Sequence, residues 1–173
     1  MVTVDDEILD LRCRGPEAVE RLVGRHAERL YAAVHRISGD PELALDAAQE
    51  ALLRLVARPP RDTADGQLYG WLLAVALNWL RSQWRARRRR VAREAAIAVA
   101  RRGPDGATAL RNAIVREALA ALDDRDLALV TLVRLDGQSY AEAGALLGLT
   151  LDQVKKRMGR ALAELARHLE DGR

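Results

Sequence analysis

The sequence predicts an all-α protein made of two small helical domains joined by a linker. Three observations predict it. A 49% hydrophobic content with no Phe is supplied mostly by Ala, Leu and Val, which suits helices packed through small side chains better than a sheet. Apolar residues recur at three-and-four spacing along most of the chain. A Gly103-Pro104-Asp105-Gly106 break separates two stretches that each carry this helical period. Two domains of about 80 residues each would bury modest cores and would gain from docking onto a partner.

Taken in order, Leu22, Val23, Leu30, Val34 and Ile37 mark one or two helices ending at Gly39-Asp40-Pro41. Asp40 then suits an N-cap, with Pro41 in the first turn of the next helix. That helix runs to Ala57 with Leu45, Leu52, Leu53 and Val56 on one side, until Pro59-Pro60 stops it. Arg61 to Gly66 reads as a polar loop. Leu68, Trp71, Leu72, Val75, Ala76, Trp79 and Leu80 share the next helical face, and the pattern continues into Arg81, Arg85 and Arg87 to Arg90. A helix that begins in a core therefore ends as a basic rod. Residues 91–102 read as a polar extension, followed by helices at 108–121, 124–135, 139–147 and 151–169.

Charge is distributed unevenly. Residues 1–80 carry nine Arg against thirteen acids, residues 81–102 nine Arg against Glu94 alone, and residues 103–173 ten Lys or Arg against eleven acids. So much positive charge on one short segment implies an anionic partner, and nucleic acid is favoured over a merely solvated helix end. Cys13 is the only cysteine, which excludes an intrachain disulfide and leaves a small apolar packing role. His26, His35 and His168 form no metal-ligand pattern. No metal or cofactor is expected. The acidic start (Asp5, Asp6, Glu7) does not read as a signal peptide, and no apolar run suits a membrane span, so a cytoplasmic protein without membrane insertion is expected.

Residues 139–158 carry the requirements of a helix-turn-helix. Gly144 is small where two helices must approach, Gly148 supplies a permissive turn, and Thr150 with Gln153 forms a capping box. Val154, Met158, Ala161, Leu162 and Leu165 then make one apolar stripe, while Asp152, Lys156, Arg160 and Arg167 face away. A helix with a buried face and a basic, hydrogen-bonding outer face suits the major groove; an ordinary amphipathic hairpin is the plainer reading. Asp152, Gln153 and Lys156 are the base-reading candidates, and Lys155, Arg157 and Arg160 the phosphate-positioning ones.

In the first half, Asp46, Gln49 and Glu50 have no nucleophile, histidine or glycine loop arranged around them, so catalysis is not expected. Trp71 and Trp79 read as core. Trp84, among Arg81, Arg85 and Arg87, has two readings: a platform for an unstacked base, or packing beneath arginine stems.

These two constellations, in this order, resemble the extracytoplasmic-function group of sigma-70-type sigma factors, over residues 16 to 169. "GDPELALDAAQEALLRL" and "WLLAVALNWLRSQWRARRRR" resemble sigma region 2, and "ALDDRDLALVTLVRLDGQSYAEAGALLGLTLDQVKKRMGRALAEL" resembles region 4. The resemblance implies a region 2-like domain at 1–90, a linker at 91–107 that threads toward the polymerase channel, and a region 4-like domain at 108–173. It implies an alternative sigma factor, not an enzyme, that binds core RNA polymerase through its β′ clamp and β subunits and directs promoter-specific initiation. Asp46, Gln49, Glu50, Leu53 and Arg54 would dock on the clamp. Asn78, Arg81, Trp84, Arg85, Arg87 and Arg88, with the Arg61–Gly66 loop, would hold the melted −10 element. The helix from Leu151 would read the −35 duplex through Asp152, Gln153, Lys155, Lys156, Arg157 and Arg160. An anti-sigma protein is a further implied partner.

The chain departs from the family pattern at several positions. Leu73, Ala74 and Leu77 stand where an aromatic and two Arg are frequent, Ser82 replaces an acid, and Leu52 often a Phe. Ala143-Gly144 replaces Ile-Ala, and Asp152-Gln153 replaces Gly-Thr. The first set would move −10 contacts toward Arg81–Arg90, and the last implies a different −35 preference. Two other functions fit the same residues: a helix-turn-helix regulator acting without polymerase, and a sigma-like interaction protein that reads no promoter.

Overall fold

A computed structural model describes residues 16–60, 67–95 and 106–171. All regular structure among the described residues is helical. The helices are α1 (Pro16–Ser38), α2 (Pro41–Ala57), α3 (Leu68–Ala95), α4 (Gly106–Ala121), α5 (Asp124–Val130), α6 (Tyr140–Leu147) and α7 (Leu151–Asp171), with a π-helical turn, Thr131–Leu135, extending α5. Cys13, the Arg61–Gly66 loop and residues 96–105 of the expected linker lie outside the described residues. No helix among the described residues is long and apolar enough to cross a membrane.

The helix starts follow local capping chemistry. The Asp40 carboxylate accepts from the Glu42 and Leu43 N–H groups at 3.0 and 3.2 Å, which satisfies two of the otherwise unpaired donors of α2. Asp123 does the same for α5 through the Asp126 N–H at 2.7 Å. Ser139 and Glu142 close a reciprocal capping box on α6, and Thr150 and Gln153 close another on α7.

The side of α2 that carries Leu45, Leu52, Leu53 and Val56 is largely the outward one, and its alanines make the buried face. Ala44, Ala47, Ala48, Ala51 and Leu55 are buried, whereas Leu45, Leu53 and Val56 are exposed and Leu52 is only half-buried. Small alanines let α2 approach α1 and α3 closely, and the larger leucines are left outward.

Helix α3 is the centre of the molecule. Leu72, Ala76 and Leu80 join Leu30, Val34 and the α2 alanines in the core of the first half. The same helix also packs against α4, α5 and α6 of the second half. Leu73 and Leu77 are both 0% exposed, and the buried cluster runs without interruption from Leu22 to Met158 and Ala161. The chain thus encloses one continuous core, where the sequence suggested two separate ones.

Candidate nucleic-acid interface

Helix α7 is presented by a tight turn. Gly148 has φ of +64°, the left-handed conformation that favours glycine, and it ends α6. A Cβ on Gly144 would lie 2.8 Å from the Leu149 carbonyl oxygen and 3.2 Å from Val154 Cγ2, so the close approach expected there is present. Val154, Met158 and Ala161 are buried, Leu162 and Leu165 half-buried, and Asp152, Gln153, Lys155 and Lys156 exposed. The Gln153 Oε1 accepts from the Thr150 N–H at 2.9 Å, so its amide is already oriented by the cap.

Arg157 and Arg160 are placed differently from the two lysines. Arg157 Nη1 donates to Asp126 Oδ1 at 2.6 Å and to Asp123 Oδ2 at 3.2 Å. Arg160 Nη2 donates to Asp126 Oδ2 at 2.6 Å and to Asp123 Oδ2 at 3.3 Å. The Asp126 side chain is only 2% exposed, so both guanidiniums pin α7 to the start of α5. Hydrogen bonding to Asp126 raises both arginines above their ordinary pKa. Burial pushes the Asp123 carboxyl up, but the Asp126 N–H and the two arginines outweigh it and hold the group below its usual range. These two arginines therefore brace the helix, and the exposed positive charge of its outer face rests first on Lys155 and Lys156.

The basic end of α3 meets the second half. Arg81 donates to the Leu122 carbonyl, forms an ion pair with Asp124, and donates to Asn78 Oδ1 at 3.5 Å. Arg85 donates to the Ala120 carbonyl at 3.1 Å. The carbonyls of Ala120 and Leu122, in the last turn of α4 and just after it, lie at its negative dipole end, so two guanidiniums are well placed there. An open cleft of about 510 Å³ at this seam is lined by Arg81, Arg85, Asp123, Asp124, Arg125 and Arg157. Trp84 corrects the base-platform reading: it is 7% exposed and packed into the core, because the second half covers that side of α3. Arg87 is exposed, and the side chain of Arg88 lies outside the described residues.

On α2, Asp46, Gln49 and Leu53 are exposed, and Glu50 pairs with Arg54 at 3.1 Å one turn away. With Leu45 and Val56 they form an apolar stripe edged by polar groups. No group of histidine, cysteine and acidic side chains among the described residues could hold a metal ion.

Sequence reasoning missed Asp123, Asp126, Asp136 and Tyr69, whose roles appear only in three dimensions, and Gly70, where a Cβ would lie 1.9 Å from the Leu146 carbonyl oxygen of α6. Tyr69 donates to Asp136 Oδ2 at 3.4 Å, and Arg36 pairs with the same carboxylate. Burial and the Asp136 charge push the Tyr69 phenol up to about 12.

Comparison with known proteins points one way. Residues 22–90 match the family described as Sigma-70 region 2, and residues 112–165 match Sigma-70, region 4. ECF RNA polymerase sigma factor SigE of Mycolicibacterium smegmatis is 32% identical over 87% of this chain and 61% of its own length. ECF RNA polymerase sigma factor EcfG of Rhodopseudomonas palustris is 33% identical, over 79% of this chain and 77% of its own. RNA polymerase sigma factor CnrH of Cupriavidus metallidurans is 30% identical, over 88% and 87%. A solved structure of CnrH in complex with the cytosolic domain of CnrY superposes with a TM-score of 0.52 at 25% identity, covering 95% of this chain and 96% of that one.

Proposed function

Because the chain belongs to the extracytoplasmic-function group of sigma-70-type sigma factors, we propose that it is a cytoplasmic promoter-recognition subunit of RNA polymerase that binds core enzyme and performs no catalysis. The proposed division is a region 2 domain at 1–90, a linker at 91–107 and a region 4 domain at 108–173. Support for the polymerase-docking role comes from α2, where Leu53 is 66% exposed beside Asp46, Gln49, Glu50 and Arg54. An apolar anchor ringed by polar groups on a rigid helix is the anatomy of a docking surface. The β′ clamp is the proposed receptor.

For the −35 duplex, Asp152, Gln153 and Lys156 lie at or near the start of α7 and are proposed to meet base edges. Lys155 is proposed to meet phosphate, with Arg157 and Arg160 fixing the helix while offering their outer edges. For the −10 strand, Leu73, Ala74 and Leu77 supply no cation, so holding the opened strand falls to Asn78, Arg81, Arg85, Arg87 and Arg88. Capturing unpaired bases offsets the cost of unpairing, a few kcal/mol. An anti-sigma protein is a proposed partner, as the sigma resemblance implies; the superposed CnrH was itself solved in complex with a second protein, the cytosolic domain of CnrY.

The observation that carries the proposal is that matches to regions 2 and 4 occur in order along one chain whose α7 outer face is exposed. In vitro transcription with purified core enzyme tests it. Promoter-specific transcripts that require this chain are expected. Failure to associate with core enzyme would overturn the proposal, and strong binding to a paired duplex site by the chain alone would favour a plain regulator.

A further inference from the structure

We infer that a cavity between α3, α4 and α7, walled by Trp84 and rimmed by arginines, is a binding site for a small organic anion with an apolar body. The site would exist whether or not the chain reads promoters.

The cavity holds about 450 Å³, which falls in the range of roughly 300–1,000 Å³ usual for small-molecule sites. Its shape follows from the sequence of α4. Ala113, Arg116, Glu117 and Ala120 recur at three-and-four spacing, so they share one face of the helix, and Ala121 joins them on the wall. To the same cavity α3 contributes Trp84. Alanine side chains end at Cβ and cannot fill the space beside an indole as leucines would. The apolar part of the wall thus suits a ring or a short chain.

Trp84 supplies the observation that points to a ligand. The residue is 7% exposed, and its indole Nε1–H meets no acceptor among the described residues. A buried donor left unpaired is costly, and packing alone would be served as well by leucine, which fills most of this core. A ligand that presents an oxygen to this N–H removes the cost.

The rim selects the ligand's charge. Arg85 and Arg87 of α3 and Arg116 of α4 line the cavity against one acid, Glu117, and His168 near the end of α7 adds an imidazole. Arg85 also donates to the Ala120 carbonyl at 3.1 Å, which ties α3 to α4 at this wall. Arg87 is exposed and Arg116 half-buried, and a carboxylate or phosphate ester would take forked hydrogen bonds from either guanidinium. The cavity therefore asks for three things along one molecule: an oxygen for Trp84, an apolar body against the alanines, and an anionic group at the rim. A cation would meet like charge, and a hydrocarbon would leave the indole N–H unpaired. Arg85 and Arg87 also belong to the set proposed for the opened −10 strand. On the sigma reading, an occupied cavity would withdraw them from that strand.

Nitrogen–proton correlation spectroscopy of the full chain tests the site, because Trp71, Trp79 and Trp84 each give one indole signal. The probes are hydroxynaphthoate and hydroxynaphthyl phosphate, which share an apolar body and a hydroxyl oxygen and differ in the anionic group. Either should move the Trp84 signal saturably and leave the other two in place, the tighter one identifying the headgroup. Arg116→Gln should weaken binding about tenfold. Ala113→Trp fills the cavity from its exposed edge and should abolish binding. Neither residue belongs to the proposed DNA or polymerase contacts, and helical circular dichroism checks that both variants fold. Should Ala113→Trp fail to fold, Arg116→Gln decides. A Trp84 signal that ignores both probes, three signals that move together, or undiminished binding by the folded variants overturns the site. Inorganic phosphate binding as tightly as the naphthalene anions overturns it too, as does a short single-stranded oligonucleotide that moves the Trp84 signal when neither probe does. Probe binding that leaves promoter opening by the holoenzyme unaltered overturns the competition and keeps the site. A chain that binds the probes but never joins core enzyme sinks the sigma reading alone.

Discussion

Arg160 Nη2 reaches Asp126 Oδ2 at 2.6 Å, and the carboxylate it meets is shared with Arg157 and almost wholly withdrawn from water. Asp126 belongs to the first turn of α5, so the pairing joins the start of one helix to the outer flank of another. A buried carboxylate with two guanidinium partners is costly to disturb, although the exposed side of Arg160 weakens its own share through solvent screening. Asp126→Asn keeps the shape and removes the charge. It should lower the stability of the folded chain by roughly 1–3 kcal/mol in urea titration. An unchanged midpoint would mean that the fork contributes nothing.

The same geometry separates the cations of α7 by role. Lys155→Ala should reduce the salt dependence of holoenzyme binding to a promoter fragment by about one unit of slope, since it removes one phosphate-neutralising charge, whereas Lys156→Ala should mainly alter which bases are preferred. Both should leave stability within about 0.5 kcal/mol. Arg157→Ala should do the reverse, lowering the melting temperature with a smaller change in slope. Equal slopes for all three variants would erase the distinction between reading and bracing residues.

What the sequence made legible follows from how local each feature is. The caps at Asp40, Thr150 and Gln153 were readable because donor and acceptor lie within three residues. The outer face of α7 was readable because period alone places Lys156 opposite Val154 and Met158. The inner face of α2 was not, since counting hydrophobicity favours Leu45 and Leu53 over alanines that close packing prefers. Nor were the Asp126 braces, which come from residues 31 and 34 positions away from their partners. Helix α3 did carry an unread signal. From Leu68 to Leu80 only Asn78 is clearly polar, so the helix is apolar on every side, and such a helix must be buried on more than one face. A basic tail after it drew attention to charge when the apolar run already implied a second packing partner.

Acidification should lower the stability of the fold through His26 before it reaches the carboxylates. His26 lies against Tyr69, its rings 6.4 Å apart, and burial, then the charges of Arg25 and Arg29, lower its pKa below the ordinary 6.5. The unfolded chain therefore binds a proton that the folded chain resists. Stability should fall as pH drops below about 6.5 and continue to fall until the folded-state imidazole itself protonates. Asp123, whose pKa is depressed, remains ionised in both states through this range; its contribution is lost only as pH falls below the usual carboxylate range. Urea titrations at about pH 7 and pH 5.5 should show a decline for the wild type that His26→Gln flattens. An equal decline in both proteins would assign the effect elsewhere.

Leu53 offers the cleanest separation of binding from folding. Its side chain is exposed on α2, two residues from Leu55, which is 1% exposed and part of the core. Leu55→Ala should cost about 2–5 kcal/mol of stability through lost burial and the cavity left behind. Leu53→Asp should leave stability within about 0.5 kcal/mol, because the position has little to lose on folding. If the stripe of Leu45, Leu53 and Val56 is the anchor of the polymerase contact, the same Asp would be carried into a desolvated apolar pocket on binding. Affinity for core enzyme should then fall by at least about tenfold, or roughly 1.4 kcal/mol. Undiminished binding by a stably folded Leu53→Asp would place the polymerase contact on another face of the molecule.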